Sequence, residues 1–162
     1  MRRSRAERPT SGRGCQSASA ASMSASAYRD RVNDNATLIR HAYERYAAGD
    51  TDAILDLVDQ DLAWTYLDPS EADPEPRICH GRHELEHALE RQLAQGLRSE
   101  LEEIIAQGDN VVIVTRTPGL DAFRARKADD RNIDVLTLRA GKVVAIRACR
   151  DRREAIDLAH LG

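Results

Sequence analysis

The order of its periodic segments constrains this chain's fold most. Apolar residues recur at the helical spacing in three segments, residues 33–49, 54–58 and 82–95. Alternating runs typical of strands cover residues 62–67, 101–106, 111–116 and 133–146. Helices gathered first and strands gathered last predict one α+β domain, in which a curved antiparallel sheet wraps a long helix.

The closing pair of runs is predicted to form a hairpin around Ala140 and Gly141. Asp134 falls on the same face of its strand as Leu136 and Leu138, so it points inward if those leucines face a core. Burial raises the pKa of a carboxyl that lacks a partner, and such a group can act as a general acid or base. The alternative is a structural acid bonded to an arginine or a backbone amide.

Composition places this domain among soluble globular proteins. The 162 residues include 31% charged and 41% hydrophobic residues, and no apolar run is long enough to cross a membrane. Three cysteines without C-x-x-C spacing argue against a disulfide framework and against a zinc site. A reducing, cytoplasmic compartment is expected.

The first residues differ from the rest. Residues 1–23 hold five arginines and one acid among Ser, Ala and Gly, while the whole chain has a net charge of −3. We expect residues 1–29 to be a disordered basic tail, with Met23 as the natural start, and residues 30–162 to form the domain. An acidic body repels phosphate backbones, so nucleic acid is not expected as a partner, and neither is a membrane.

Residues 83–87 read H-E-L-E-H and match a zinc-binding pattern, in which two histidines one helical turn apart hold the ion. Glu86 puts a charge where such a helix is usually buried, and Leu85 places the apolar stripe between the two histidines. No third ligand is evident. We therefore interpret this segment as a solvated helix face and expect no metal site.

Other side chains are candidates for a pocket around Asp134. Tyr46, Trp64 and Tyr66 could line it, although aromatic residues at such spacing are more often part of a core. Arg116 could bind an anionic group or pair with an acid. His80 is the best-placed histidine for acid-base chemistry near neutral pH, and a structural hydrogen bond is its alternative role.

Three motifs together resemble the NTF2-like superfamily, and its SnoaL-like group in particular. They are A-Y-E-R-Y-A-A-G-D-T-D-A-I-L-D-L-V at residues 42–58, H-G-R at residues 80–82 and L-T-L-R-A-G-K-V-V at residues 136–144. The resemblance implies a cone, in which one curved sheet and three helices enclose a central hydrophobic pocket. It also implies a homodimer through the outer face of the sheet. Function is less constrained, because this scaffold hosts isomerases, hydrolases, cyclases, dehydratases and binding modules.

The site of ketosteroid-isomerase-like members carries over only in part. Their proton-donating aspartate falls on Asp134. Their first-helix tyrosine falls on Ala42, with Tyr43 one residue away and so rotated about 100° around the helix. Their base precedes a proline, and Asp68 resembles it but comes two residues late.

The resemblance to limonene-epoxide-hydrolase-like members is weaker. The acid that those enzymes carry on the final strand falls on Ala148, so epoxide hydrolysis is not expected unless Asp134 or Asp68 substitutes for it. Ile146 and Ala148 instead imply an apolar pocket wall, with Arg150 near its mouth or paired with an acid.

Two hypotheses about function follow. In the first, the chain is a cofactor-independent isomerase, cyclase or hydrolase for a small apolar molecule, with Asp134 as acid or base and Asp68, His80 or Tyr43 assisting. In the second, it is a binding or dimerisation module without turnover. Pairing of Asp134 with Arg116 or Arg150 away from any opening would contradict the first.

Overall fold

One six-stranded sheet organises the chain, and helices cover both of its faces. The computed structural model describes residues 24–68, 71, 73–119 and 131–160. The helices are α1 (Ala25–Ala47), α2 (Asp52–Leu57), α3 (Arg82–Ala94) and α4 (Arg152–His160). The strands are β1 (Val58–Tyr66), β2 (Arg77–His80), β3 (Glu100–Gln107), β4 (Asn110–Arg116), β5 (Arg131–Arg139) and β6 (Lys142–Cys149).

The sheet is open and curved, with the strand order β2-β1-β6-β5-β4-β3. Four of its five strand pairs are antiparallel, whereas β1 and β6 are parallel. The parallel pair arises because α3 carries the chain from the β1–β2 hairpin to the far edge, and the last strand then returns to lie beside the first. The α+β cone is confirmed, with a mixed sheet in place of a purely antiparallel one.

Helix α1 begins at Ala25, earlier than the apolar stripe predicted. The Ser24 hydroxyl oxygen caps it by accepting a hydrogen bond of 3.2 Å from the Ala27 backbone N–H. Its first turns are exposed and carry no apolar stripe, so periodicity could not find them. Farther along α1, the Asn35 side-chain amide donates to the Gly108 carbonyl at 3.0 Å. This bond holds the helix to the turn between β3 and β4.

Helix α4 was not predicted, and it changes the outer face of the sheet. Two side chains cap its start, because Asp151 accepts from the Glu154 N–H at 2.9 Å and Glu154 accepts from the Arg150 N–H at 2.7 Å. Ala155 and Ala159 lie one turn apart and are buried. Their small side chains let the helix pack closely on the sheet. The outer-face cluster that results comprises Val112, Val135, Cys149, Ala155 and Ala159.

The larger core lies on the inner face, between the sheet and the first three helices. Ile39 of α1 and Leu62 of β1 are fully buried there. The other buried members come from α1, α2, α3 and strands β1, β4, β5 and β6: Ala42, Leu55, Leu57, Val58, Leu85, Val111, Ile113, Leu136, Leu138 and Val143.

The predictions about the basic tail and the homodimer stay untested. The tail lies mostly outside the described residues, and the homodimer remains a prediction. Helix α4 covers part of the outer sheet face that the predicted dimer would use. Within the part of the chain that the structure describes, no helix has the length and apolar character needed to span a membrane.

Candidate functional site

Strand pairing places Asp134 on the inner face of the sheet. On β5, it lies opposite Ile113 of β4 and Ala148 of β6. Leu136, two residues on, lies opposite Ile146. Because opposite residues of antiparallel strands share a face, these five side chains form one inner wall. This is the orientation that the alternation of the closing strands predicts.

Two cavities lie against that wall, and Asp134 belongs to both. The inner cavity has a volume of about 150 Å³ and is enclosed by α1, α2, α3 and the sheet. The outer cavity has a volume of about 600 Å³ and lies between α3 and the strand ends. Five of the lining residues are common to both cavities: Trp64, Ala88, Gln92, Asn132 and Asp134. Asp134 therefore lies where a molecule in either cavity can reach it.

The Asp134 carboxyl has no hydrogen bond and no ion pair in the part of the chain that the structure describes. Desolvation by burial raises its pKa from 3.8 to about 7. Neither arginine that was predicted to pair with it does so. Arg150 lies 3.8 Å from Asp73, and Arg116 points to the opposite face of β4 from Ile113. A carboxyl with a pKa of about 7 can bind and release a proton at neutral pH, which makes Asp134 the candidate for acid-base chemistry.

Two tyrosines of α1 approach the inner cavity. Burial raises the pKa of Tyr43 well above its ordinary value of 10.0, and the charges of Asp134 and Tyr46 add to the rise. Burial likewise raises the pKa of Tyr46, although the nearby Arg98 and Ser99 reduce the size of this rise. Tyr46 is 1% exposed, and its hydroxyl makes no geometrically adequate hydrogen bond with the residues that the structure describes. Both phenols keep their protons at neutral pH, so Tyr43 can act as a hydrogen-bond donor beside Asp134.

Asn132 and Gln92 also line both cavities, and the sequence analysis missed them. Neither side-chain amide is hydrogen-bonded among the residues described. The signals were present, because Asn132 alternates with Asp134 along β5. Gln92 follows Leu85 by seven positions and so lies on the same helix face. Together with Asp134 they place three polar groups at the junction of the cavities.

The remaining predicted pocket residues divide between the two cavities. Leu136 and Ile146 line the inner cavity, whereas Tyr66 and Ala148 line the outer one. Trp64 lines both, and its ring centroid lies 5.4 Å from that of Tyr66. The wall of the inner cavity is therefore largely apolar and aromatic, as is usual for sites that bind small molecules. The outer cavity is more polar, because Glu84, His87 and Arg91 also line it.

Four predicted residues are not brought to the cavities. His80 is exposed and lies opposite Ala63, on the other face of the sheet from Trp64. Asp68 lies 3.4 Å from Arg77 and lines neither cavity. Arg116 and Arg150 line neither cavity either. The polar side chains that line a cavity with Asp134 include Tyr43 of α1, Gln92 of α3 and Asn132 of β5 instead.

Neither described cysteine has the environment of a nucleophile. Burial raises the pKa of Cys149 to about 12, and the charges of Glu154 and Asp134 contribute. Burial is also the main reason why the pKa of Cys79 is raised. A hydrogen bond to Glu84 and the charge of Glu84 raise it further. Because the thiolate is the reactive form, both thiols are expected to be inert at neutral pH.

No cluster of three or more metal-binding side chains occurs in the described ranges. His83 and His87 of the H-E-L-E-H segment do lie side by side on α3, with ring centroids 4.1 Å apart. Glu84 does not join them as a ligand, because it accepts from the His80 backbone N–H at 2.9 Å. His83, Glu84 and His87 therefore do not form a zinc protease centre.

The fold is that of the NTF2-like class. Residues 39–146 match the SnoaL-like domain family, so the chain belongs to that family. The resemblance of the sequence motifs is thereby confirmed. No curated protein matches the chain.

Solved structures show the same fold at low sequence identity. An NTF2-like protein of unknown function from Burkholderia pseudomallei is 23% identical, with a TM-score of 0.53, and the match covers 78% of this chain and 97% of that one. One from Mesorhizobium loti is 21% identical, with a TM-score of 0.52 and coverage of 74% and 92%. A candidate polyketide cyclase from Xanthomonas campestris is 19% identical, with a TM-score of 0.51 and coverage of 80% and 98%.

Proposed function

We propose that this chain catalyses proton transfer on a small, mainly apolar molecule without a cofactor, as an isomerase, a cyclase or a hydrolase. The observation that carries the proposal is the Asp134 carboxyl, which borders two cavities and has no partner among the described side chains. Its pKa of about 7 leaves the acid and the carboxylate both populated at neutral pH. That balance suits a group that must take up a proton and return it.

Tyr43 supports this role. A proton removed from carbon next to a carbonyl leaves negative charge on the oxygen, and a neutral donor in a dry site stabilises that charge. The raised pKa of Tyr43 keeps its hydroxyl protonated, and its electrostatic coupling to Asp134 indicates that the two groups are close. We assign Asp134 as the acid and base and Tyr43 as the donor to the oxygen.

The cavity volumes indicate the size of the substrate. A cavity of about 150 Å³ accommodates a molecule the size of benzene, and the inner cavity has about that volume. The outer cavity, at about 600 Å³, lies within the usual range of about 300–1,000 Å³ for small-molecule sites. We propose that one ring enters the inner cavity while the rest of the molecule occupies the outer one, with Asn132 and Gln92 holding its polar groups.

Among the structural relatives, the candidate cyclase from Xanthomonas campestris is compatible with this chemistry. Ring closure between carbon atoms requires a proton to leave one carbon and a proton to reach an oxygen. An acid with a pKa near neutrality can serve both steps.

The second candidate function is ligand binding without turnover. It is favoured by one observation: Asp134 is the only carboxylate on the described wall of the inner cavity, and no histidine lines that wall. A binding module would use the same cavities and the same aromatic residues. The two functions differ in whether a bound molecule exchanges protons.

Hydrogen exchange separates the two candidates. Small cyclic ketones are incubated with the protein in D₂O, and loss of the proton next to the carbonyl is followed by NMR. We expect the wild-type protein to make this exchange faster than it is in buffer. Asp134→Asn should lose the acceleration, whereas Asp157→Asn should retain it, since Asp157 is exposed on α4.

Binding of the same ketones is followed by the fluorescence of Trp64, the chain's single tryptophan, which lines both cavities. Ketones that bind without exchanging would contradict proton transfer to and from carbon by Asp134, which an isomerase or a cyclase requires, and would support the binding module. Failure of every ketone to bind would contradict both candidates.

A further inference from the structure

His83 and His87 of α3 face each other through their Nε2 atoms. Their Nε2 atoms lie 2.9 Å apart, and their rings meet edge to face. The two residues are one helical turn apart, the spacing at which side chains meet on a helix surface. Their side chains are 75% and 50% exposed, so an ion in solution can reach them without any rearrangement.

Each imidazole has a carboxylate on its other nitrogen. His87 Nδ1 lies 3.1 Å from Glu90 Oε2, at hydrogen-bond distance, and His83 Nδ1 lies 3.5 Å from Glu86 Oε2. A carboxylate in that position favours the tautomer with the proton on Nδ1, which leaves Nε2 as an electron-pair donor. The separation of 2.9 Å is a hydrogen-bond distance, so the two Nε2 atoms can share a proton, and a metal ion can take the place of that proton.

The spacing selects the kind of cation. Two imidazole nitrogens, each about 2.0–2.1 Å from a metal ion, lie about 2.9 Å apart when the angle at the ion is about 90°. At the tetrahedral angle of about 109° they lie about 3.3 Å apart, which is the arrangement that zinc prefers. Square-planar and tetragonal ions such as Cu²⁺ and Ni²⁺ require the smaller angle. The observed separation of 2.9 Å therefore fits these ions.

We propose that His83 and His87 form a chelating site for Cu²⁺ or Ni²⁺, with Glu86 and Glu90 orienting the two rings. Water completes the coordination, since the described chain offers no third ligand of the Cys, His, Asp or Glu type. His87 also lines the outer cavity, so the ion lies at its rim. The site does not depend on proton transfer at Asp134, and either proposal can fail alone.

Titration calorimetry with NiCl₂ tests the site on the intact chain. We expect His83→Gln and His87→Gln each to weaken Ni²⁺ binding at least about tenfold, because changes to groups that merely orient a ligand already cost about 10–100-fold. Glu90→Gln should weaken binding less than either histidine variant does. The matched control is His41→Gln, which removes an exposed histidine of α1. With Cu²⁺, electron paramagnetic resonance should show two coupled nitrogens in the wild type and one in either histidine variant.

Three results would overturn the proposal. One is Ni²⁺ affinity that is unchanged in His83→Gln or in His87→Gln. Another is an equal loss of affinity in His41→Gln, which would mean that surface histidines bind the ion independently. The third is tighter binding of Zn²⁺ than of Ni²⁺, which would contradict the geometric argument. Circular dichroism of each variant establishes that α3 is intact, so that a loss of binding reports on the ligands.

Discussion

Replacing the Asp134 carboxyl by an amide should stabilise the protein at alkaline pH and have little effect near pH 4. In the folded protein the pKa of Asp134 is about 7, against 3.8 for the free group. The folded state therefore binds this proton more tightly than the unfolded state does. By linkage, wild-type stability falls as pH rises from about 4 to about 7, whereas Asp134→Asn lacks this loss.

The structure sets the size of the effect. The difference between 3.8 and about 7 corresponds to on the order of 4 kcal/mol, at about 1.4 kcal/mol for each tenfold change in proton affinity. This figure is an upper limit, because Asp134 borders a cavity that water can enter. Each 1 kcal/mol shifts the melting temperature of a domain of this size by about 3–4 °C. Thermal unfolding at pH 4, 6 and 8 measures it.

Asp157→Asn is the control, because it removes the same charge from an exposed site on α4. We expect the melting temperature of Asp134→Asn, relative to wild type, to rise steadily from pH 4 to pH 8, while Asp157→Asn shows no such trend. A constant difference between Asp134→Asn and wild type at all three pH values would refute the argument. It would mean that the carboxyl is solvated or paired in solution.

Three further predictions concern stability. Tyr46→Phe should stabilise the protein by about 1 kcal/mol, since it removes a buried hydroxyl without a hydrogen bond; a fall in urea midpoint would show that the hydroxyl has a partner. Leu62→Ala should cost about 2–5 kcal/mol, because Leu62 is 0% exposed in the inner core; a loss below 1 kcal/mol would argue against that packing. Gly81→Ala should cost about 1 kcal/mol, because Gly81 has a φ of +80°; an unchanged melting temperature would contradict that conformation.

Most of the fold could be predicted from the sequence. Helix α3 and the β5–β6 hairpin follow directly from periodicity and from the glycine turns. Strand β2 has only four residues, too few for alternation to be recognised. The parallel pairing of β1 with β6 is set by the path of the chain through α3, which no local pattern encodes. The D-R-R-E segment that caps α4, at residues 151–154, contains no apolar residue, so hydrophobic periodicity did not predict a helix start there.

The candidate site could be predicted only in part. Strand alternation gave the inward direction of Asp134, and helical spacing could have given Gln92. Whether Asp134 has a partner depends on contacts distant in sequence, and His80 fails because the register of β2 turns it to the opposite face. A pKa therefore could not be deduced before the fold was known.

The most direct test of this account is the pKa of Asp134 itself. The side-chain carboxyl carbon can be followed by NMR from pH 3 to pH 9 in protein labelled with ¹³C at aspartate, with Asp134→Asn identifying the signal. The account predicts a midpoint near 7, well above the ordinary value of 3.8. A midpoint near 4 would contradict the central claim that Asp134 is a desolvated, proton-exchanging group.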